Sequence, residues 1–315
     1  MDHATVVVSG TKIADEIGIS RSEVWRLIQQ LRALGVDVAG RPATGYQLRA
    51  IPDLLLPEML APSLKGTIFA GGRQIHHYYK IGSTNSEAMR AAAEGAPEGS
   101  VFLAEEQLAG RGRGAHTWHS ARSTGIYCSV ILRPAMPPSG ALIFSLAAGL
   151  AVRAAVMEIA PQLLPDLKWP NDVLLGGKKF CGILTEMNAE ATKIRHLVVG
   201  VGINVNQIKF PADLRDMATS LRLETATEWS RVELCAALLK SLDREYRNLA
   251  EDPGARDSIR RRFEQSSSSV RGKKVSVEEN SDLAGVTEGL DEQGFLRVKT
   301  ADGIKTVLSG TVRTI

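Results

Sequence analysis

The chain has 315 residues, 44% of them hydrophobic and 23% charged, with a formal net charge of +3. That composition fits a folded protein of about two domains, excludes a disordered or low-complexity chain, and is too weakly basic to name a nucleic-acid partner by itself. The three cysteines (Cys128, Cys181, Cys235) are odd in number and lack metal-ligand spacing, which speaks against a disulfide framework or zinc site and for reduced thiols in a cytoplasmic protein. No basic leader opens the sequence. The longest nearly apolar run, Ala141 to Val152, contains Ser145 and Gly149 and falls short of the roughly 20 residues of a membrane span, so no membrane segment is expected.

In residues 1–50, Ile13, Ala14 and Ile17 recur at helical spacing up to Gly18. Ser20 opens a capping box with Glu23, ahead of an apolar stripe at Val24, Leu27, Ile28, Leu31 and Leu34 that Gly35 ends. Two helices joined at Gly18-Ile19-Ser20 make a helix-turn-helix, and Val36–Val38 with Tyr46–Leu48 read as a hairpin wing. The polar face of the second helix carries Arg21, Ser22, Trp25, Arg26, Gln29 and Arg32, the side-chain types that meet phosphates and base edges in a major groove. Charge adds little, because six basic residues (Lys12, Arg21, Arg26, Arg32, Arg41, Arg49) stand against five acidic ones (Asp2, Asp15, Glu16, Glu23, Asp37). A winged helix normally has a helix before this pair. Met1 to Gly10 offer only a short strand at Val6-Val7-Val8, so that first helix is expected to be missing. A helical hairpin for protein contacts is the competing reading.

Pro52, Pro57 and Pro62 punctuate residues 51–75, which read as a linker with a brief helix near Leu54 to Leu60. His76 to Ile81 is β-prone; its paired histidines, with no acid or thiol nearby in sequence, read as strand residues. Ser83-Thr84-Asn85 precede a helix over 86–94. All three are good N-caps, and those that do not cap offer donors and acceptors to a ligand at the strand-to-helix turn.

Val101–Ala104 reads as a strand delivering Glu105, Glu106 and Gln107 to Gly110-Arg111-Gly112-Arg113-Gly114. Alternate glycines let backbone N–H groups converge, two guanidiniums suit phosphate or carboxylate, and Trp118 offers a flat apolar face to a purine. A flexible surface loop is the plainer alternative. A core strand at 125–132 and a small-residue helix at 142–160 follow. Pro170 forbids a helix through Leu167–Val173 and removes a ladder N–H, so this bend projects Lys168, Asn171 and Asp172. After a turn at Gly176-Gly177, simple alternation along Lys178–Leu184 places Lys179, Cys181 and Ile183 on one face. Gly200 and Gly202 sit in a buried-type strand over 197–205; without a helix after them they signal close packing rather than a dinucleotide fingerprint.

Taken together and in order, Gly82-Ser83-Thr84-Asn85, Gln107 with Ala109-Gly110-Arg111-Gly112-Arg113 and Trp118, Lys168-Trp169-Pro170-Asn171-Asp172, Lys179-Phe180-Cys181-Gly182-Ile183-Leu184 and Gly200-Val201-Gly202-Ile203-Asn204 resemble the motifs of biotin protein ligases. With the N-terminal module, nearly the whole chain resembles the bifunctional type, ligase and biotin operon repressor. The resemblance implies an α/β (α+β) protein: a winged helix-turn-helix at 1–50, a mixed-sheet catalytic domain at 76–265 and an SH3-like β-barrel at 270–315. It implies biotin and ATP as substrates, with Mg2+, giving biotinyl-5′-AMP and pyrophosphate. The biotinyl group then passes to a lysine of a biotin carrier protein, such as an acetyl-CoA carboxylase subunit. Operator DNA and a homodimer are implied as well.

Carried onto this chain, the resemblance implies that Ser83, Thr84 and Gln107 hydrogen-bond the ureido ring, and that Arg111, Gly112 and Arg113 wrap the biotin tail and α-phosphate. Lys179 meets the biotin carboxylate and adenylate phosphate, Trp118 lines the adenine side, and Asn85, Gly110, Gly182 and Asn204 complete the binding set. Arg113, Lys168 and Lys179 are the catalytic cations, while Arg21, Ser22, Trp25, Arg26 and Gln29 are the residues expected on DNA. No Mg2+ ligands are identified. One departure is Ala115-His116, where the family often has Gly-Arg; it is expected to alter loop order or adenylate retention, not reaction type.

Beyond residue 205, a loop from Phe210 to Leu221 is placed to cover a nucleotide, and Arg231–Leu249 has the stripe of an amphipathic helix. Arg260-Arg261-Arg262 reads as a solvated helix face and Ser266–Ser269 as a linker. Short strands near 274–277, 283–286, 296–299 and 306–308 alternate with Gly/Asp turns as in a small barrel. The competing functions are a ligase with a vestigial DNA-binding module, a ligand-sensing repressor without catalysis, and a lipoyl-type ligase, against which Lys168–Asp172 beside a C-terminal barrel argues.

Overall fold

The computed structural model describes residues 6–33, 36–41, 44–49, 53–70, 74–114, 116–278 and 283–315. Its chain divides into a unit Met1–Leu54 and a unit Leu55–Ile315.

The first unit holds β1 (Val7–Val8), α1 (Gly10–Ile17), α2 (Arg21–Ala33), β2 (Val38–Arg41) and β3 (Gly45–Leu48), with strand order β1-β3-β2. Ser9 caps α1 by accepting the Lys12 N–H at 3.1 Å, and Gly18, at φ 69°, ends it. The capping box forms as expected: the Ser20 N–H donates to Glu23 Oε2 at 3.0 Å and the Glu23 N–H to Ser20 Oγ at 3.3 Å. The apolar stripe is narrower than its spacing suggests, with Val24 and Ile28 buried but Leu27 exposed. The expected helix end at Leu34-Gly35 and the Pro42-Ala43 turn of the wing lie outside the described residues.

The second unit begins with a correction. The stretch expected as a linker, where described, is built into the core: Leu55, α3 (Pro57–Leu60), a 3-10 turn at Ala61–Leu64 and Phe69 place four fully buried side chains, Leu55, Leu60, Leu64 and Phe69, in the main cluster. Its prolines punctuate the chain, but the apolar residues between them have a sheet and helices to cover, and burial decides.

The central sheet contains β4 (Ile75–Tyr78), β5 (Val101–Ala104), β6 (Gly125–Leu132), β7 (Asp166–Lys168), β8 (Asp172–Leu175), β9 (Lys178–Ala189) and β10 (Ile194–Asn204), in the order β4-β5-β6-β10-β9-β8-β7. Only β4 and β5 pair in parallel, and α4 (Thr84–Ala93) joins them. α5 (Leu142–Ile159), after β6, is apolar all round because it is enclosed. Among the described residues it anchors the one stretch, Pro138–Ile159, long and apolar enough to cross a membrane, and 78% of an 18-residue window of that stretch is buried in the fold. α6 (Leu221–Thr225), α7 (Arg231–Glu251) and α8 (Ala255–Gln265) follow, and α7 and α8 pack on α5.

Alternation along β10 decides where a site can form. Val199, Val201 and Ile203 enter the main core, while Val198 packs on the opposite face with Ala88 and Ala92 of α4. Gly200 and Gly202 share that second face, and beyond the end of α4 they leave it low and open.

The C-terminal strands β11 (Arg271–Val277), β12 (Ala284–Leu290), β13 (Leu296–Thr300), β14 (Gly303–Val307) and β15 (Val312–Thr314) form an antiparallel sheet in the order β14-β13-β12-β11-β15; β15 has no counterpart among the expected strands. Val275, Val277, Leu296 and Val298 join the main core cluster. The serine run expected as a linker is tied down too: the Ser268 N–H and hydroxyl donate to the two Asp166 carboxylate oxygens, each at 2.7 Å. The arginine run on α8 is only partly solvated, because Arg262 donates to both oxygens of buried Glu245, at 2.8 and 2.7 Å.

Candidate functional site

The open patch of sheet is the floor of a cavity of about 240 Å³. At one end of it stands the N-terminus of α4. Ser83 caps the helix, its Oγ accepting the Ser86 N–H at 3.4 Å. The Thr84 N–H and hydroxyl both donate to Gln107 Oε1, at 2.8 and 3.1 Å, and Gln107 Nε2 donates to Ser120 Oγ at 2.9 Å. From β6, Ser129 Oγ lies 2.9 Å from the Thr84 hydroxyl and 2.7 Å from Asn85 Oδ1, and Asn85 Nδ2 donates to Glu186 Oε2 at 2.9 Å. Only glycine fits at position 200, where a Cβ would come within 2.0 Å of Asn85 Oδ1.

The glycine–arginine loop is more regular than a flexible nest. The Trp118 N–H donates to the Gly110 carbonyl and the Gly112 N–H to the His116 carbonyl, both at 2.8 Å, so two of its backbone donors are spent within the loop. Gly110 serves this packing: a Cβ there would meet the Trp118 carbonyl at 2.4 Å, and the residue is not part of the cavity wall. The loop lays the Trp118 ring on the floor, where Cβ atoms at Gly182 and Gly202 would come within 2.8 and 2.5 Å of it. Trp118 Nε1 is buried there without a partner. Ala115 lies outside the described residues.

Four basic residues of the wall (Arg111, Arg113, Lys168, Lys179) face one acid, Asp172. Lys179 Nζ lies 2.6 Å from Asp172 Oδ1 and 5.5 Å from the Trp118 ring centroid. Simple alternation misplaces this lysine. Val173 pairs with Cys181 and Leu174 with Lys179, so Phe180 is an extra residue in β9. The bulge turns Lys179 to the Gly182 side, with its Cε 3.0 Å from where a Gly182 Cβ would be. The loop after β10 fixes its backbone: the Lys179 N–H donates to the Met217 carbonyl at 2.8 Å and the Thr219 N–H to the Lys179 carbonyl at 3.0 Å. Beneath it, burial pushes the Cys181 thiol well above its usual range.

Arg111 pairs with both oxygens of Glu186, at 2.8 and 3.0 Å, and Arg113 donates to the Gly310 carbonyl at 3.2 Å. The Lys168–Asp172 bend has a cis Trp169–Pro170 bond, and Ser145 Oγ donates to its Pro170 carbonyl at 3.0 Å. Trp169 Nε1 donates to the Gly294 carbonyl at 2.9 Å, and Asn171 Nδ2 donates to the Ile183 carbonyl at 2.8 Å.

Of the residues expected in the site, Ser83, Thr84, Asn85, Gln107, Arg111, Gly112, Arg113, Trp118, Lys168, Lys179 and Gly182 line this one cavity. Asn204 does not: its Nδ2 donates to the Thr219 carbonyl at 3.0 Å and its Oδ1 accepts from Gln207, holding the loop that holds Lys179. No motif marks Ser120, Ser129, Glu186 or the Gly310–Val312 wall. Glu105, expected to reach the loop, is instead buried below it. Its carboxylate accepts from the Leu55 N–H and His77 Nε2, each at 3.0 Å, and from Arg231 at 2.8 Å. Burial alone would raise its pKa; His77, Arg231 and the Leu55 N–H outweigh that and hold it to about 2.

A second candidate surface lies on α2, where Arg21, Ser22, Trp25 and Arg26 are exposed and Gln29 is half-buried. Trp25 is 59% exposed, unusual for an indole without a partner to meet. Arg32, expected on the same face, donates through Nε to the Val38 carbonyl at 2.9 Å and so braces the wing.

Comparison with known proteins gives three matched profiles: an HTH domain at residues 2–47, the biotin/lipoate A/B protein ligase family at 80–204, and the biotin protein ligase C-terminal domain at 271–313. The chain is similar to the bifunctional ligase/repressor BirA of Bacillus spizizenii, at 35% identity over 97% of this chain and 93% of the relative. It is also similar to the biotin–[acetyl-CoA-carboxylase] ligase of Mycobacterium tuberculosis, at 34% identity over 82% of this chain and 97% of that protein. A structural neighbour, the biotin protein ligase of Aquifex aeolicus in complex with biotin and ATP, aligns with a TM-score of 0.66 and 30% identity over 76% of this chain and 99% of that one.

Proposed function

The chain belongs to the bifunctional ligase/repressor BirA family of biotin protein ligases, and from that premise we propose that it activates biotin with ATP, transfers it to a carrier lysine and represses transcription in response to biotin. The observation that carries the enzymatic reading is the cavity itself. Neutral hydrogen-bonding groups at Ser83, Thr84 and Gln107 share its wall with Lys168, Lys179, Arg111 and Arg113, over a floor of glycines.

Biotin has the complementary shape, a neutral ureido ring joined by an apolar tail to a carboxylate. The ring lies at the Thr84–Gln107 end, and the tail crosses the floor toward Lys179. Attack of the carboxylate on the α-phosphate brings two anions together, so Lys179, Arg113 and Lys168 lower the barrier where the negative charges meet. The arginines of the Gly110–Trp118 loop close over the mixed anhydride and exclude water. Trp118 supplies the apolar face on the adenine side. Among the described residues no group of three or more acidic, histidine or cysteine side chains converges. Magnesium would therefore arrive on the nucleotide's phosphates, as is usual for this ion; no residue is assigned to it and no step here depends on it.

The decisive experiment incubates the purified chain with biotin, ATP and magnesium. Pyrophosphate release and labelling of a biotin carrier domain are expected; activation of octanoate or lipoate in place of biotin would sink the assignment. The carrier is a subunit of a biotin-dependent carboxylase. The working form is a cytoplasmic homodimer: three buried free thiols support the compartment, and the dimer is what the resemblance to the bifunctional type implies. For repression, the exposed face of α2 enters the major groove of operator DNA. That predicts biotin-dependent binding whose affinity falls with salt, with Arg26→Ala reducing the salt slope by about 1. Absence of binding to DNA upstream of biotin genes, even at low salt, would leave the enzyme-only reading.

A further inference from the structure

We propose that Glu186 is a positioning residue that limits the lifetime of the bound adenylate, by competing with its phosphate for the Arg111 guanidinium; the inference rests on the ligase reading above. On one face of β9, Gly182, Leu184 and Glu186 succeed one another, opposite Gly202, Gly200 and Val198 of β10. Gly182 and Leu184 line the cavity together with Arg111, whereas Glu186 stands just outside the wall. One of the four wall cations is therefore held from behind, by an acid that does not itself line the ligand space.

The hold uses both carboxylate oxygens. Arg111 Nη2 lies 2.8 Å from Oε1 and Arg111 Nη1 donates to Oε2 at 3.0 Å, a two-pronged, charge-assisted pair. Oε2 also accepts from Asn85 Nδ2 at 2.9 Å. Asn85 is itself buried, and its Oδ1 lies 2.7 Å from Ser129 Oγ of β6. The carboxylate is thus fixed from the sheet and helix side, and it does not follow the guanidinium when the loop moves.

The edge of the guanidinium that Glu186 holds is the edge at the tip of the side chain, the one best placed to grip a phosphate. An α-phosphate that takes it takes it from Glu186, so the two anions exchange one cation. The Arg111 side chain is 48% exposed and that of Glu186 23%, so water screens the pair and the exchange runs in both directions. The same phosphate remains on AMP after transfer. An arginine with no second partner would hold intermediate and product alike; Glu186 reclaims it and lets the phosphate go.

The test loads the full chain with radiolabelled synthetic biotinyl-5′-AMP, adds an excess of unlabelled adenylate, and times release on a filter. Glu186→Gln keeps the volume and an acceptor for Asn85 but removes the charge that competes for Arg111. Release is expected to slow by about 3- to 10-fold, the range open to a partly screened ion pair. The affinity for biotin alone, which carries no phosphate, should stay within about 2-fold, and that measurement also shows that the variant is folded. In an Arg111→Ala background the same substitution should leave release unchanged. Unchanged or faster release from Glu186→Gln would overturn the proposal, as would a slowing that persists without Arg111 or a parallel loss of biotin affinity. A wild-type chain that makes no adenylate from biotin and ATP would instead overturn the ligase reading, and the proposal with it.

Discussion

At the Thr84–Gln107 end of the cavity, Thr84, Asn85, Gln107, Ser120 and Ser129 already hold one another through short hydrogen bonds, and Arg111 reaches that group through the Glu186 it shares with Asn85, whereas at the other end Lys179 and Arg113 rest on Asp172 and the Gly310 carbonyl. The neutral end is rigid before any ligand arrives, so a ligand there must match a fixed pattern of donors and acceptors, which gives selectivity. Lys179, Arg111 and Arg113 have their charges parked on surrogate acceptors, which lowers the cost of gathering them and leaves them free to move to a better anion. Specificity and charge handling are therefore built from different materials. Mutations at the two ends should fail in different ways.

The largest effect is expected at the cationic end. Lys179→Ala should lower biotin-dependent pyrophosphate release by about 100- to 1,000-fold, the usual loss when one preorganised donor to a developing charge is removed. Its melting temperature should stay close to wild type, because a partly exposed ion pair contributes only about 0–1 kcal/mol. Thermal melts beside a pyrophosphate assay decide this; an unchanged rate removes Lys179 from the chemistry.

The scaffold under both ends should respond to acid. Glu105 has a folded pKa of about 2 against 4.5 when free, so the unfolded chain binds its proton first and stability falls as pH drops. The stabilisation is complete above about pH 4.5, is lost as pH falls through about 2, and amounts to roughly 3 kcal/mol. Glu105→Gln should show that loss already at neutral pH and flatten the dependence of stability on pH between those limits. Denaturant melts across that range would settle it. An unchanged slope would mean that other carboxylates dominate acid unfolding.

A smaller and mixed effect belongs to the neutral end. Thr84→Val keeps the side-chain volume but removes a hydroxyl that bridges Gln107 and Ser129. Leaving those partners short of a bond should cost about 1–3 kcal/mol, divided between a lower melting temperature and a higher KM for biotin. A change in KM for ATP alone would contradict the division of labour between the two ends.

The same contrast explains what was legible in the sequence. Residues within one motif could be read from spacing and residue type: the Ser83 cap, the Lys168–Asp172 bend, the close-packing glycines 200 and 202, and the cations themselves. Their partners could not, because Glu186 lies 75 residues from Arg111, Gly310 lies 197 from Arg113 and Arg231 lies 126 from Glu105. The facing of Lys179 was misread for a local reason, since one bulged residue inverts a period of two and nothing in Lys178–Leu184 announces it. The stretch 55–70 looked like a linker because prolines mark chain breaks in sequence, while the surface that buries Leu60 and Phe69 exists only in the fold.

The smallest expected effect is at Arg113, and it tests whether the cationic end retains its ligand or only tidies the loop. Among the described residues Arg113 has one acceptor, the Gly310 carbonyl in the loop before β15, at 3.2 Å. Arg113→Gly therefore gives up a charge-assisted, partly exposed hydrogen bond of about 1.5 kcal/mol and one of the four wall cations. If the guanidinium moves from Gly310 to the adenylate, the variant should still form biotinyl-5′-AMP but release it about 10-fold faster, a difference of about 1.4 kcal/mol in retention. A filter or rapid-quench measurement of adenylate release reads this directly, and free adenylate would then label exposed lysines without a docked carrier. If release is unchanged while the melting temperature falls, the arginine ties the loop to the C-terminal sheet and nothing more. The retention role would then fall to Arg111, whose grip on Glu186 has two bonds to give up and would make the cationic end slower to respond.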